Sequence, residues 1–311
     1  MSRLVVAGAS GFIGTRLVEA ALEQGFSVVR LVRTDGAAAF APIPDNEAAP
    51  SVVDVGWDPS SGRLEESVLA GADAVVVLNG AAILPNRWSA KRRELLRESR
   101  VAPVRTVVDA IGRLPESDRP KALLTGSAVG FYGTGRGDAY LTETVPKGAG
   151  FLAEVCGEWE AEARRADAMR VRTVQLRTGL VMGKGGMVGM LRPLFAAYLG
   201  VRLGDGKAWM PTISRDDHVR AILFLAGEER ASGPVNMCGP TPVRNAEWTK
   251  ALAKATNAKA FLAVPAFVVR AMFGDAADEA VLVSHRAIPA KLNSLGFEFT
   301  DPTIEDQLRG I

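Results

Sequence analysis

Three glycines near the N-terminus stand three residues apart in the stretch GASGFIG, at positions 8, 11 and 14. Each has a physical use: Gly8 permits a tight turn, Gly11 lets a ligand approach the backbone, and Gly14 lets a helix pack closely on a strand. The first N–H groups of that helix attract phosphate. The spacing predicts a dinucleotide pyrophosphate site formed by Gly8, Ser10, Gly11, Phe12, Ile13 and Gly14. A glycine-rich turn without a ligand is the weaker alternative, because this turn joins a predicted strand to a predicted helix.

Two arginines in the stretch VVRLVRTDG indicate which dinucleotide binds. A site for NAD usually places an acidic residue after the second strand, where it holds the ribose hydroxyls. Here Arg30 is followed by Arg33 near the predicted strand end, and a guanidinium there can bind a 2′-phosphate with two hydrogen bonds. NADP(H) is therefore favoured over NAD(H). Asp35 keeps the alternative open, since its carboxylate is also close enough to serve a ribose.

The stretch GFLAEVCGEWEAEA predicts an amphipathic helix that begins near residue 150. Its apolar residues recur at helical spacing, and the glutamates are expected on the opposite side. The apolar residues are Leu152, Val155, Cys156, Trp159, Ala163 and Ala166. On that buried face, the Cys156 thiol is the one group expected to exchange a proton at neutral pH, and only weakly.

The composition argues against several classes of partner. The 37 basic and 35 acidic residues leave a net charge of +2, which is too balanced for a nucleic-acid surface. The two histidines and two cysteines show no metal-ligand spacing. No apolar run approaches the roughly 20 residues that span a membrane, and the N-terminus lacks the pattern of a secretory signal. We therefore expect a cytoplasmic protein that binds no metal, nucleic acid or membrane.

Short apolar runs alternate with helical patterns in the first three quarters of the chain. A β-branched run at 3–7 precedes the glycine turn, and the helix after it extends from Ile13 to Leu22. Further strands are predicted at 26–32, 72–79, 121–127, 172–179 and 233–239. This alternation is typical of a parallel sheet covered by helices on both faces. The Ala- and Pro-rich segment 36–50 is expected to be a surface loop.

Several motifs occur in the order of a known family. GASGFIG is followed by LNGAA at 78–82, TGSAVGFYG at 125–133, LRTGLVMG at 176–183 and SRDDHVRAI at 214–222. Together they resemble the extended short-chain dehydrogenases/reductases, and in particular an epimerase-like branch often labelled nucleoside-diphosphate-sugar epimerase-like. The resemblance covers nearly the whole chain, including the tail from VPAFVVRAMFG to LNSLGFEF.

This resemblance implies a doubly wound Rossmann sheet of about seven strands with a small C-terminal α/β substrate region. Residues 1–180, with 213–240 returning to the sheet, would form the cofactor domain, and 181–212 and 241–311 the smaller region. The further cofactor-binding residues that the family implies are Val32, Arg33, Leu78, Asn79, Gly80, Ala81, Arg100, Ser127 and Leu180. For Arg100, a position on the helix surface is an equally open alternative.

In the wider superfamily, a Tyr-x-x-x-Lys pair on the helix after the fifth strand transfers the proton. The matching positions here are Phe151 and Val155, or Leu152 and Cys156. Neither pair can perform this chemistry. The resemblance therefore implies cofactor binding but leaves the usual reduction mechanism in doubt.

Ser127 and Tyr132 remain as candidate catalytic residues. Ser127 would otherwise cap a strand end, and Tyr132 would otherwise be a packed loop aromatic. Trp88, Tyr132 and Trp209 are candidate substrate-binding residues, because their loops should converge above the strand ends, where such sheets bind ligands. Packing between domains is the alternative for a residue as large as Trp209.

Two functions agree with these features. One is an NADP(H)-dependent oxidoreductase or epimerase that acts on a small molecule, such as a nucleotide sugar, with an acid–base group other than Tyr-x-x-x-Lys. The other is a non-catalytic NADP(H)-binding sensor or regulatory protein, which the absent proton-transfer pair favours. The sequence is compatible with a monomer or a homodimer.

Overall fold

The computed structural model describes residues 2–34, 50–197, 200–260 and 262–311. Within these ranges, seven strands form a central sheet. They are β1 (Arg3–Ala7), β2 (Ser27–Arg33), β3 (Val52–Trp57), β4 (Ala74–Val77), β5 (Ala122–Ala128), β6 (Arg172–Thr178) and β7 (Gly233–Met237). Every neighbouring pair is parallel, in the order β7-β6-β5-β4-β1-β2-β3. The direction of winding reverses between β1 and β4, so the carboxyl ends of these two strands flank the crevice where such sheets bind ligands.

This arrangement confirms the predicted doubly wound Rossmann sheet. Six of its strands lie at the predicted apolar runs, whereas β3 is absent from the sequence-based prediction. Asp54 and Gly56 interrupt the apolar pattern of β3, and its edge position leaves part of it exposed. The predicted loop at 36–50 lies outside the described residues except for Pro50.

Helices cover both faces of the sheet. The α-helices of the described residues are α1 (Phe12–Glu23), α2 (Ala90–Arg113), α3 (Phe151–Arg164), α4 (Gly186–Ala196), α5 (Arg215–Gly227), α6 (Asn245–Ala255), α7 (Ala266–Phe273), α8 (Ala290–Leu295) and α9 (Ile304–Gln307). Successive residues of β1 point to opposite faces. Leu4 therefore packs in the core with α1 and α5, and Val5 in the core with α2 and α3. Both side chains are 0% exposed, as in sheets buried on both faces.

The C-terminal part adds short strand pairs and a separate apolar cluster. Leu180–Met182 pairs with Thr212–Ser214, Val201–Leu203 with Leu262–Val264, Trp209–Met210 with Val243–Arg244, and Arg286–Ala287 with Tyr140–Leu141. Trp248 of α6 and Phe195 of α4 pack edge to face in the cluster, with ring centres 6.4 Å apart. Glu279 reaches back to the sheet domain, where its carboxylate accepts hydrogen bonds from the backbone N–H groups of Phe151 and Leu152 at 3.1 and 2.8 Å. The C-terminal part thus fixes the start of α3.

Two further features concern membranes and metals. Within the described ranges, every helix is too short or too polar to span a bilayer. Among the same residues, no three His, Cys, Asp or Glu side chains form a group that could hold a metal ion.

Candidate functional site

The glycine turn leaves no room for side chains at two of its glycines. Gly8 has a φ of +83°, and a Cβ built on it would lie 3.0 Å from the backbone carbonyl carbon of Leu78. A Cβ on Gly14 would lie 2.2 Å from the carbonyl oxygen of Gly8. The turn therefore brings β1, α1 and the loop after β4 closer together than side chains would allow.

The N-terminus of α1 is open toward this turn. Gly11 precedes the helix, and no side chain of the described residues caps its first N–H groups. The first turn contains no acidic residue. Ser10 and Gly11 are exposed, whereas Phe12 and Ile13 are half-buried. The free N–H groups and the helix dipole fit an anionic group such as a pyrophosphate.

The two arginines of β2 lie in different surroundings. Arg30 donates two hydrogen bonds to the Asp54 carboxylate of β3, at 2.5 and 2.7 Å. Arg33, the last residue of β2, is exposed, and its guanidinium has no hydrogen bond or ion pair with any residue that the structure describes. Val32 beside it is 42% exposed. Within the described ranges, the Arg30 guanidinium is therefore occupied and that of Arg33 is not; Asp35 lies outside the described residues.

Arg100 of α2 reaches the loop that follows β4. Its guanidinium donates to the carbonyl oxygens of Ala81 and Leu96, both at 2.9 Å. A Cβ on Gly80 would lie 3.2 Å from the Cζ of Arg100. Burial lowers the pKa of this guanidinium below its ordinary value. Within the described chain, the buried Oδ1 of Asn79 in the same loop has no hydrogen-bond partner. The structure thus brings four of the predicted cofactor residues together.

Leu180 lies in a different setting from that group. It begins the short strand Leu180–Met182 and packs on the C-terminal apolar cluster with Met182 and Trp248. Its side chain is half-buried. A role for Leu180 at the nicotinamide stays a prediction.

Helix α3 presents Leu152 and Cys156, not a tyrosine and a lysine, to the segment after β5. A Cβ on Gly130 would lie 3.4 Å from the Cβ of Leu152 and 3.9 Å from the Sγ of Cys156. Phe151 instead packs edge-on against Trp88, with ring centres 5.3 Å apart. Burial raises the pKa of the Cys156 thiol to about 11, so the thiol is neutral at pH 7. Neither Leu152 nor Cys156 can transfer a proton to a substrate at neutral pH.

The expectation that the α3 glutamates lie opposite the buried face is wrong for Glu160. Its side chain is 1% exposed, and its carboxylate accepts a hydrogen bond from the Ser127 hydroxyl at 2.8 Å. Arg177 of β6 donates two more, at 2.8 and 3.0 Å. Glu160 follows Cys156 by four residues, one helical turn, so the spacing itself could have placed it on the buried face. A buried Glu160–Arg177 ion pair therefore holds Ser127 at the carboxyl end of β5.

Tyr132 belongs to the same buried network. It is 0% exposed, and its hydroxyl donates to Asn236 Oδ1 at 2.6 Å and accepts from Arg177 Nη1 at 3.2 Å. Burial raises the pKa of Tyr132 to about 12. This is the environment of a packed structural residue, and it does not favour Tyr132 as a proton donor or as a substrate contact.

Trp88 and Trp209 are both held by protein contacts. Trp88 is 8% exposed and donates from Nε1 to the carbonyl oxygen of Ile83 at 3.1 Å. Trp209 is half-buried between the guanidinium groups of Arg244 and Arg286, which lie 3.8 and 4.3 Å from its ring centre. Trp88 therefore has a core position, whereas Trp209 keeps part of its ring accessible. Their contacts with a substrate stay predictions.

Comparison with known sequences identifies the family. The profile of the NAD dependent epimerase/dehydratase family matches residues 4–238, and that of a domain of unknown function, DUF1731, matches residues 264–311. The chain belongs to the NAD dependent epimerase/dehydratase family. Epimerase family protein Mb2239 of Mycobacterium bovis is 39% identical over 306 residues, which are 98% of this chain and 96% of that protein. The chloroplastic epimerase family protein SDR39U1 homolog of Arabidopsis thaliana is 34% identical, over 98% of this chain and 85% of that protein.

Solved structures agree with this family. The crystal structure of human epimerase family protein SDR39U1 with NADPH matches with a TM-score of 0.85 at 27% identity, over 98% of this chain and 97% of that one. The nucleoside-diphosphate sugar epimerase from Corynebacterium glutamicum matches with a TM-score of 0.76 at 30% identity, over 99% of this chain and 57% of that one. The predicted membership in an epimerase-like branch is confirmed. This epimerase family protein therefore combines the fold of its relatives with an α3 helix that lacks the Tyr-x-x-x-Lys pair.

Proposed function

We propose that this chain binds NADP(H), with Arg33 on the 2′-phosphate of the adenosine ribose. The observation that carries the proposal is the exposed guanidinium of Arg33, which has no partner among the described residues, beside the open N-terminus of α1. A guanidinium binds a phosphate with paired hydrogen bonds. Gly8 and Gly14 allow β1, α1 and the loop after β4 to approach one another closely, which is the turn geometry of dinucleotide sites. The description of human SDR39U1 with NADPH supports the same cofactor.

The proposed reaction is oxidation–reduction or epimerisation of a small molecule without a Tyr-x-x-x-Lys pair. A bound nicotinamide supplies hydride transfer. The residues proposed to hold the cofactor are Gly8, Ser10, Gly11, Phe12, Ile13, Gly14, Val32, Arg33, Leu78, Asn79, Gly80, Ala81, Arg100, Ser127 and Leu180. Because the Ser127 hydroxyl donates a hydrogen bond to Glu160, its oxygen would serve a ligand only as a hydrogen-bond acceptor. In this proposal, residues 1–180 and 213–240 form the cofactor domain.

A second candidate function is a non-catalytic NADP(H)-binding protein that reports or regulates. The observation that favours it is the pair of α3 residues at the proton-transfer positions, apolar Leu152 and the neutral thiol of Cys156. Such a protein would bind the cofactor without turning over a substrate.

Titration of the purified protein with NADPH and NADH tests the cofactor. For Arg33→Ala, we expect the Kd for NADPH to rise about 10- to 100-fold, the effect of losing one charge-assisted contact, with the Kd for NADH unchanged. Arg30→Ala is the matched control, because it removes a positive charge three residues away that already pairs with Asp54. Equal NADPH binding by Arg33→Ala and the unmodified protein would overturn the assignment.

Turnover separates the two candidate functions. The absorbance of the reduced nicotinamide is followed with a panel of sugar nucleotides, aldehydes, ketones and small carboxylic acids. Substrate-dependent loss of that absorbance supports the oxidoreductase. An epimerase returns its nicotinamide to the starting oxidation state, so epimerised sugar nucleotide is sought separately by chromatography. Tight NADPH binding with neither an absorbance change nor an epimerised product on every panel member supports the non-catalytic protein.

A further inference from the structure

Two arginines on one side of α2 hold the loop after β4 without an acidic partner. Arg92 and Arg100 are separated by about two helical turns, so their side chains lie on the same side of the helix. Arg92 donates to the carbonyl oxygen of Ala82, and Arg100 donates to that of Ala81. Neither guanidinium forms an ion pair with any described residue, and within those residues the buried Nε of Arg92 has no hydrogen-bond partner. Both side chains are half-buried, and backbone carbonyls satisfy their N–H groups without neutralising their positive charge.

Two other arginines of the described residues have their charge balanced within the protein. Arg93, on the same helix, forms an ion pair with Asp275 at 2.6 Å. Arg172 of β6 also donates to carbonyl oxygens, but those belong largely to the C-terminal end of α5, which carries partial negative charge. Glu228 and Glu229 also act electrostatically on Arg172. The charge of Arg172 is therefore balanced within the protein, unlike that of Arg100.

The surfaces that face Arg100 carry no negative charge in the part of the chain that the structure describes. The charged or titratable groups that act on it are the Cys156 thiol, which is neutral at pH 7, and the like charge of Arg92. Trp159 of α3 presents its ring, whose centre lies 5.6 Å from the Cζ of Arg100. The carboxylate of Glu160 is already bound by Arg177.

We propose that Arg92 and Arg100 bind the carboxylate of the substrate, and that the substrate class is a small carboxylic acid with an apolar body. The guanidinium groups supply the fork geometry and positive charge that carboxylates prefer. The apolar body is inferred from Leu152, which packs with Ala81 in one apolar cluster. The site adjoins the cofactor because the same loop contacts the glycine turn through Leu78. Arg100 would therefore support the cofactor through the loop that it holds and bind the substrate through its guanidinium. This inference rests on the proposed function.

Binding of benzoate and of its neutral analogue benzamide to the NADPH-loaded protein tests the inference by saturation-transfer NMR. We expect benzoate to bind more tightly than benzamide, and Arg100→Gln to weaken benzoate binding about 10- to 100-fold. Arg100→Lys keeps the charge and is expected to retain most of the affinity. Arg105→Gln is the matched control on α2, because Arg105 is exposed and faces Glu162 at 3.7 Å. It should bind benzoate like the unmodified protein.

Three results would overturn the inference. Benzamide that binds as tightly as benzoate to the unmodified protein shows that no anion is recognised, and this comparison needs no variant to fold. Unchanged benzoate binding in folded Arg100→Gln shows that Arg100 is a structural residue. If Arg100→Gln raises the Kd for NADPH and leaves benzoate binding unchanged, Arg100 binds a cofactor phosphate and not the substrate. Failure of the unmodified protein to bind NADPH overturns the proposed function itself, so the two failures are distinguishable.

Discussion

The glycine turn and the buried face of α3 lie at the same edge of the sheet, but they depend on different properties of the chain. The turn depends on backbone shape: at Gly8 and Gly14 the neighbouring backbone lies so close that a Cβ would collide with it. The buried face of α3 depends on side chains from several elements. At its centre, Glu160 of α3 forms a buried ion pair with Arg177 of β6. The turn meets the requirements of a dinucleotide, whereas the α3 face lacks the groups that would transfer a proton.

This difference separates binding from chemistry within one fold. In the proposed cofactor site, phosphate would be held by the N–H groups at the N-terminus of α1 and by the guanidinium of Arg33. Proton transfer needs a titratable side chain within reach of the substrate. In this epimerase family protein, Leu152 and Cys156 replace that side chain, and the nearby carboxylate of Glu160 is neutralised by Arg177. Cofactor binding therefore does not by itself imply the family's usual acid–base chemistry.

Breaking the ion pair is expected to have the largest effect on stability. Arg177→Met leaves the buried Glu160 carboxylate with only the exposed Arg164, at 3.7 Å, as a counter-charge, and we expect the free energy of unfolding to fall by about 3–5 kcal/mol. Urea denaturation measures this change. The double variant Glu160→Leu/Arg177→Met leaves no buried charge, so it should be destabilised by less than the sum of the two single variants.

The exposed Arg164 supplies the control for that experiment. Its Nη1 lies 3.7 Å from the Glu160 carboxylate, and its side chain is 48% exposed. Arg164→Ala should therefore change the free energy of unfolding by less than about 1 kcal/mol. Equal losses in Arg164→Ala and Arg177→Met would contradict the central position given to Arg177.

The two regions also differ in how far the sequence predicted them. The glycine turn is encoded within seven consecutive residues, so its spacing predicted the strand–turn–helix that the structure shows; its ligand class stays a prediction. The Glu160–Arg177 pair joins a helix to a strand, and pairing between elements requires the fold. The spacing from Cys156 to Glu160 was a local signal for the buried face of α3, but counting glutamates as surface residues obscured it.

Arg33 and Arg30 also show, at the proposed cofactor site, that contacts between elements cannot be read from the sequence alone. The sequence favoured Arg33, which follows the predicted end of β2, but it did not show what occupies Arg30. That partner is Asp54 on β3, the edge strand that the apolar pattern did not reveal. Once β3 pairs with β2, Arg30 has a partner and Arg33 remains exposed.

A side chain at Gly14 tests whether the close approach of α1 to β1 matters for stability and for the cofactor. A Cβ on Gly14 would lie 2.2 Å from the Gly8 carbonyl oxygen. We expect Gly14→Ala to lower the free energy of unfolding by about 1–3 kcal/mol and to weaken NADPH binding, because α1 must move away from β1. Urea denaturation and NADPH titration measure the two effects.

Gly227→Ala is the matched control for the turn. Gly227 is also helical, but nothing lies within 4 Å of a Cβ built there. Alanine at that position should leave NADPH binding unchanged and should be neutral or stabilising by up to about 1 kcal/mol. Gly14→Ala protein that binds NADPH as tightly as Gly227→Ala would show that the close approach of α1 to β1 is not needed for the cofactor.

Removal of the Tyr132 hydroxyl is expected to have the smallest effect on stability. Tyr132→Phe removes the hydroxyl that joins Arg177 to Asn236 and leaves the Asn236 Oδ1 without its donor. We expect the free energy of unfolding to fall by about 1–2 kcal/mol, with the NADPH Kd unchanged. This pattern is expected of a structural residue, because the Tyr132 hydroxyl points into the ion-pair network. A Tyr132→Phe protein of unchanged stability that loses turnover on an identified substrate would instead place the hydroxyl in the reaction.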